Sequence, residues 1–304
     1  MADRQSVIRS NLILRARTTA AVRRFFDALG YLEVDTPVCI PAPAPEAHID
    51  ARQCGDWFLQ TSPELCMKRL LAAGYERIYQ ICKCFRSKER GGRHLPEMTL
   101  LEWYTAGADY HAMMAQTETL VRSVCAALGR SHFTYQGTRL DVSAPWPRMT
   151  VSDAFRRYAN LSPEEALRQD RFDEVLAFSI EPHLGRPHPL FLHDYPMACG
   201  ALARAKRGAP HLAERFELYV AGVELCNGFS ELTDPAEQRR RFEAELAARR
   251  AAGRTVYPMP EPFLAALAKM PPASGNALGL DRLLMLLADA PRIDEVVAFT
   301  PEEL

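Results

Sequence analysis

Between Phe85 and Tyr104 the chain reads FRSKERGGRHLPEMTLLEWY, and no fold can bury the middle of that stretch. Arg86, Lys88, Arg90, Arg93 and His94, loosened by Gly91 and Gly92, carry too much charge to pack as core. The segment is therefore predicted to be a strand, an exposed loop and a second strand, with a loop suited to negative charge such as polyphosphate. After Pro96, EMTLLEWY is rich in strand formers, and the two-residue alternation of a strand puts Glu102 and Tyr104 on one face. If that face lines a pocket, a carboxylate and a phenol lie side by side. A solvated basic hairpin with no ligand is the plain alternative.

The rest of the chain narrows the choice. At 304 residues it suits one large sheet-centred domain of α+β type, with a small helical insertion expected around 150–185. The net charge of −1 encodes no global attraction to nucleic acid, so anion binding has to come from local clusters. No apolar run of membrane-spanning length and no signal peptide is present, which predicts a cytoplasmic protein with no membrane partner. The eight cysteines lack zinc-site spacing and are expected to be reduced and mostly buried, with Cys82 and Cys84 on one face of a strand. His183, His188 and His193 match no common ligand spacing.

In chain order, apolar residues from Ile8 to Leu29 recur near the 3.6 period and Gly30 stops the helix. YLEVDTP gives a short strand, and a proline-rich loop follows. In TSPELCMKRLLAAG, Ser62 is the expected N-cap, Pro63 opens the helix and Glu64 falls in its first turn. Residues 215–234, RFELYVAGVELCNGFSELTD, predict a β-hairpin turning at Ala221 and Gly222. There Tyr219 pairs with Glu224, and Glu217 becomes a diagonal neighbour of Glu224. Two carboxylates so placed need basic partners or a divalent cation, unless both simply face solvent. Residues 235–250 read as a charged, solvated helix, and SGNALGLDRLLML as a glycine-rich strand end leading into a helix with Arg282 in its first turn.

Three of these stretches, in order, resemble the three motifs of class II aminoacyl-tRNA synthetases of the lysyl type. They are the first helix with YLEVDTP, the opening hairpin, and GNALGLDRLLML. TSPE and ELCNGFSEL resemble the lysyl amino-acid pocket. The resemblance implies an antiparallel sheet of six or seven strands flanked by helices, and a homodimer formed through the first motif. It also separates two subfamilies. The first motif begins near residue 8, which leaves no room for an anticodon-binding domain and no anticodon recognition of tRNA is expected. Ala277 stands where lysyl-tRNA synthetases usually have glycine and the elongation factor P lysine ligases have alanine.

Carried onto this chain, the resemblance implies ATP and Mg2+ as cofactors, (R)-β-lysine as substrate and elongation factor P as acceptor. Arg86 and Arg282 would be the catalytic arginines, on the α- and γ-phosphates. ATP would also meet Ser87, Lys88, Glu89, His94, Glu224, Leu225 and Gly279. Glu217 and Glu224 would hold magnesium. Ser62, Pro63, Glu64, Glu102, Tyr104, Asn227, Phe229, Glu231 and Ala277 would form the amino-acid pocket, with Glu102, Tyr104 and Glu231 at the distal ammonium. Two departures stand out: Lys88 where glutamate is common, which makes Glu89 the better adenine contact, and Leu95 where asparagine is common. The same motifs would serve an α-lysine ligase or synthetase fragment with another acceptor such as tRNA, or a noncatalytic paralogue that binds ATP or an amino acid.

Overall fold

The computed structural model describes residues 3–143, 145–200 and 202–304. Helix α1 (Arg9–Ala28) buries Val22, Phe25 and Phe26, and Gly30, at φ +70°, turns the chain back toward the sheet. Strand β1 (Leu32–Glu33) follows. After a small three-stranded sheet come α2 (Glu64–Ala72), β2 (Arg77–Phe85), β3 (Glu97–Ala106) and α3 (Tyr110–Ala127). A hairpin beyond α3 forms from His132–Tyr135 and Thr138–Asp141. The chain then supplies β4 (Arg148–Thr150), β5 (Leu190–Pro196), β6 (Ala209–Val220) and β7 (Val223–Ser230). It closes with α4 (Pro235–Ala251), α5 (Glu261–Leu267), β8 (Ala273–Gly279) and α6 (Leu280–Leu287).

The central sheet has nine strands in the order β1-β2-β3-β8-β7-β6-β5-β4, with Ala205–Lys206 paired onto β6. From β2 to β5 every pairing is antiparallel, while the short edge strands β1 and β4 run parallel to their neighbours. The six strands from β2 to β5 match the expected antiparallel sheet, and the two edge strands are parallel for one reason. Helices lie between β1 and β2 and between β4 and β5, and a helical crossover returns the chain in the same direction. Between β4 and β5, Phe155, Phe172, Ile180 and Leu184 pack onto Leu192 and Tyr195 of β5.

Alternation along the strands divides the sheet. Leu101 and Trp103 of β3 face α1, α3 and α6 in the main core, where the ring of Phe26 stacks on Tyr79 at 4.5 Å. Glu102 and Tyr104 face the other way, as expected. Helix α4 corrects the sequence reading. It is not wholly solvated, because Gln238, Phe242, Leu246 and Arg249 recur at helical spacing on one buried face. The cysteines are also less buried than expected, with only Cys84, Cys125 and Cys226 fully enclosed.

Candidate active site

Register gathers the site. One cross-strand row runs Glu102–Ala277–Asn227–Glu217, and the next runs Tyr104–Gly275–Phe229–Arg215. Tyr219 pairs with Glu224 as the hairpin reading required, but Leu218 then pairs with Cys226, leaving Leu225 as a bulge. In an unbroken ladder Glu224 and Asn227 would face opposite sides of the sheet. The extra residue brings Glu224 to the face that already holds Asn227, Phe229 and Glu217.

A cavity of about 300 Å³ lies on this face, lined by Arg86, Glu89, His94, Glu217, Glu224, Leu225, Asn227, Ala277, Gly279 and Arg282 among others. Arg282 is its central cation. One nitrogen, Nη1, donates to the Glu224 carbonyl at 2.8 Å and to Glu224 Oε2 at 3.1 Å, and Nη2 donates to His94 Nε2 at 2.6 Å. Burial and the neighbouring Arg282 hold His94 below its ordinary value, so the imidazole is neutral and accepts that bond. Nε of Arg86 is buried with no acceptor among the described residues, a donor left for a ligand. Leu95 also lines the cavity, 4% exposed, as an apolar wall. Ser87 and Lys88 are not gathered in. The Ser87 amide donates to the Asp50 carbonyl at 2.7 Å, and Lys88, at φ +68°, extends into solvent 3.7 Å from Asp50.

Glu217 and Glu224 share this cavity. The Glu217 carboxylate accepts from Arg215 at 2.5 Å and from the hydroxyls of Tyr195 and Tyr219 at 2.6 Å each. Burial nevertheless pushes its pKa up, with Arg215 pulling it back and Glu224 adding to the rise. Burial acts on Glu224 as well, yet Arg282 holds that carboxyl below its ordinary value. Among the described residues no group of three His, Cys, Asp or Glu side chains could hold a metal alone. The pair therefore fits a hard cation that takes its remaining oxygens from a phosphate chain, as magnesium does.

The acidic end lies behind Ala277 and is closed. Ser62 Oγ donates to Glu102 Oε1 at 2.7 Å and accepts the Glu64 amide at 3.0 Å, while Pro63 leads into α2. Tyr104 donates to the other oxygen of Glu102 at 3.0 Å. Burial, reinforced by Glu64, pushes Glu102 up to about 8 against the pull of Ser62, Tyr104 and Lys68. Lys68, absent from the sequence reading, places its ammonium 2.5 Å from both Glu64 Oε1 and Glu231 Oε2, and 5.0 Å from the ring centre of Phe229. Oε1 of Glu231 finds no donor among the described residues.

Three further groups escaped the sequence reading. Arg215 bonds Glu217, Asn227 and the Cys199 carbonyl; counting two residues back from Glu217 would have found it. Glu181 accepts from Tyr219 at 3.1 Å and feels both Glu217 and Glu224, but it comes from the helical region and carried no local signal. Glu46 enters from the proline-rich loop.

A sheet that is antiparallel across its six central strands presents a cationic cavity beside an acidic cluster, the frame of an α+β ligase domain. Residues 1–303 match the family described as tRNA synthetases class II (D, K and N), and the chain belongs to that family, whose members are ATP-dependent ligases. It is 41% identical to the elongation factor P–(R)-β-lysine ligase of Edwardsiella ictaluri over 308 residues, 96% of this chain and 95% of that protein. The ligase of the same name from an Enterobacter species is 37% identical over 307 residues, 94% of its length. This chain is also 40% identical to the lysine–tRNA ligase of Moorella thermoacetica over 321 residues, and there it spans 65% of the longer protein. No helix among the described residues is long and apolar enough to cross a membrane.

Proposed function

We propose that this protein activates (R)-β-lysine with ATP as an aminoacyl adenylate and transfers it to a lysine side chain of elongation factor P. The observation that carries the reading is the pairing of an arginine-lined cavity with an acidic pocket holding a carboxylate oxygen that lacks a donor, one strand apart on the same sheet face. A diamino acid with ATP complements both ends. The chain's match to nearly the full length of relatives named for this reaction, and Ala277 between the two ends, favour the β-isomer.

Arg86 holds the α-phosphate, and His94 and Arg282 hold the outer phosphates. Arginine suits this work because it stays charged and donates in a fixed fork. The substrate carboxylate attacks the α-phosphorus in line, the bond from that phosphorus to the bridging oxygen of the β-phosphate breaks and pyrophosphate leaves; positioning and charge neutralisation carry the step, and no protein nucleophile is needed. Glu217 and Glu224 would hold magnesium, which when bound neutralises phosphate charge. Glu102, Tyr104 and Glu231 take the distal ammonium and Glu64 the other amine, with Asn227 and Phe229 alongside; Glu89 and Gly279 lie against the nucleotide. A homodimer through the first motif belongs to the same proposal, supported by exposed Ile13, Leu29 and Leu32 along α1 and β1.

Transfer is tested by incubating the protein with ATP, (R)-β-lysine and either elongation factor P or tRNA. Intact-mass analysis should show one added aminoacyl group on elongation factor P. Charging of tRNA alone would overturn the acceptor.

A further inference from the structure

Beside the active-site cavity lies a second one of about 330 Å³, and the two share three lining residues, Glu46, Ile49 and Arg215. Glu46 belongs to the proline-rich loop, and that loop is pinned from below. Buried Arg249 donates to the carbonyls of Glu46 at 2.8 Å and Ile49 at 2.7 Å and to Asp50 at 2.8 Å, while the Ala47 amide donates to Glu245 at 2.6 Å. Backbone position is thus fixed, yet the Glu46 carboxylate makes no hydrogen bond or ion pair among the described residues. The second cavity is acidic in effect. Its arginines, Arg215 and Arg241, are already paired with Glu217 and Glu237, whereas Glu46, Asp173 and Glu245 have no cationic partner among the described residues.

Activation of a carboxylate moves no proton, but turning a lysine ammonium into an amide must remove two, one before the nitrogen can attack and one after. An acceptor amine with an ordinary pKa of about 10.4 arrives as an ammonium at neutral pH. We propose that the second cavity admits the acceptor's lysine ammonium and that Glu46, on the shared wall, takes the first proton from its nitrogen so that it can attack. The freed amine attacks the adenylate carbonyl, a C–N bond forms, the bond from that carbon to the phosphate oxygen breaks, and AMP leaves with the electron pair; the first proton rests on Glu46 and the second passes to the departing phosphate. Burial pushes Glu46 up to about 7, with Arg86 and Arg215 pulling it down and Glu64 and Glu245 adding to the rise, which suits a base working near neutrality. The proposal rests on the reading of ATP-dependent transfer to a protein amine given above.

The two half-reactions separate the claims. ATP–pyrophosphate exchange with (R)-β-lysine reads activation, and intact mass of elongation factor P reads transfer. Glu46→Gln should lose transfer at pH 7.5 by about a hundredfold more than it loses exchange. Its transfer rate should then climb about tenfold per pH unit as the acceptor amine loses its own proton, while wild type changes little. Glu46→Asp should recover part of the rate. Ala198→Trp, at the exposed rim of the second cavity only, should raise the KM for the acceptor protein and leave exchange unchanged. Equal loss of both half-reactions in Glu46→Gln, a deficit that does not change with pH, or an Ala198→Trp protein that transfers normally overturns the proposal alone. Wild-type protein that fails to exchange or to transfer overturns the underlying reading, and the proposal with it.

Discussion

Nζ of Lys68 lies 2.5 Å from Oε2 of Glu231, and both side chains are sealed from solvent, at 1% and 0% exposure. The same nitrogen reaches Glu64 one helical turn back, at 2.5 Å. Three carboxylates, Glu64, Glu102 and Glu231, thus surround one internal cation. Burial opposes the charge on Lys68, but Glu231 and Glu64 outweigh it and raise its pKa, so the ammonium persists. With every carboxyl ionised the cluster would hold two uncompensated negative charges, the number a diamino acid supplies in positive ones.

Lys68→Met should therefore destabilise the protein by roughly 3–5 kcal/mol, because it strands a buried carboxylate. Adding Glu231→Gln should recover part of that loss. Urea unfolding of the two single variants and the double variant measures the coupling; additive losses would show that the pair is not coupled.

Gly275 is buried against the acidic pocket. A Cβ built there would meet Tyr104 Cε1 at 2.3 Å and Glu231 Oε1 at 2.5 Å, so no side chain fits beneath those groups. Gly275→Ala should push both aside and raise the KM for the amino acid by about tenfold or more, equivalent to ~1.4 kcal/mol, with the KM for ATP little changed. Steady-state exchange kinetics with each substrate varied in turn checks this.

Glu102 gives a pH signature. Its folded carboxyl keeps a proton to about 8, against 4.5 as its ordinary value, so between those limits the native state binds more protons than the unfolded chain. Stability from this group is complete at low pH and is lost as pH rises toward 8. Glu102→Gln does not titrate. Its Tm relative to wild type should improve steadily from pH 5 to pH 8 in thermal scans; a constant difference would remove Glu102 from the account.

The sequence reading found the opening hairpin because charge and alternation are local properties. Glu102 and Tyr104 on one face, and Tyr219 opposite Glu224, follow from a two-residue period and a tight turn. What escaped depended on distance along the chain. The bulge at Leu225 is invisible to period counting, yet it turns Glu224 toward Asn227. Lys68 carried no local signal, because its partner Glu231 reaches it only from the end of β7, more than 160 residues on. Arg249 looked solvated because nothing near it in sequence reveals the loop carbonyls 200 residues earlier that it binds. The departures also differ in weight: Leu95 forms cavity wall, whereas Lys88 points to solvent.

Ala277 lies between Glu102 and Asn227 in the row that joins the two ends of the site. The central claim is that this site selects a β-amino acid. The most direct measurement is ATP–pyrophosphate exchange with (R)-β-lysine and with α-lysine, compared as kcat/KM, in wild type and Ala277→Gly. Wild type should prefer (R)-β-lysine by about tenfold or more, the discrimination a methylene-sized difference allows, and Ala277→Gly should narrow the gap by improving α-lysine. Equal use of both isomers, or preference for α-lysine by the wild-type protein, would contradict it.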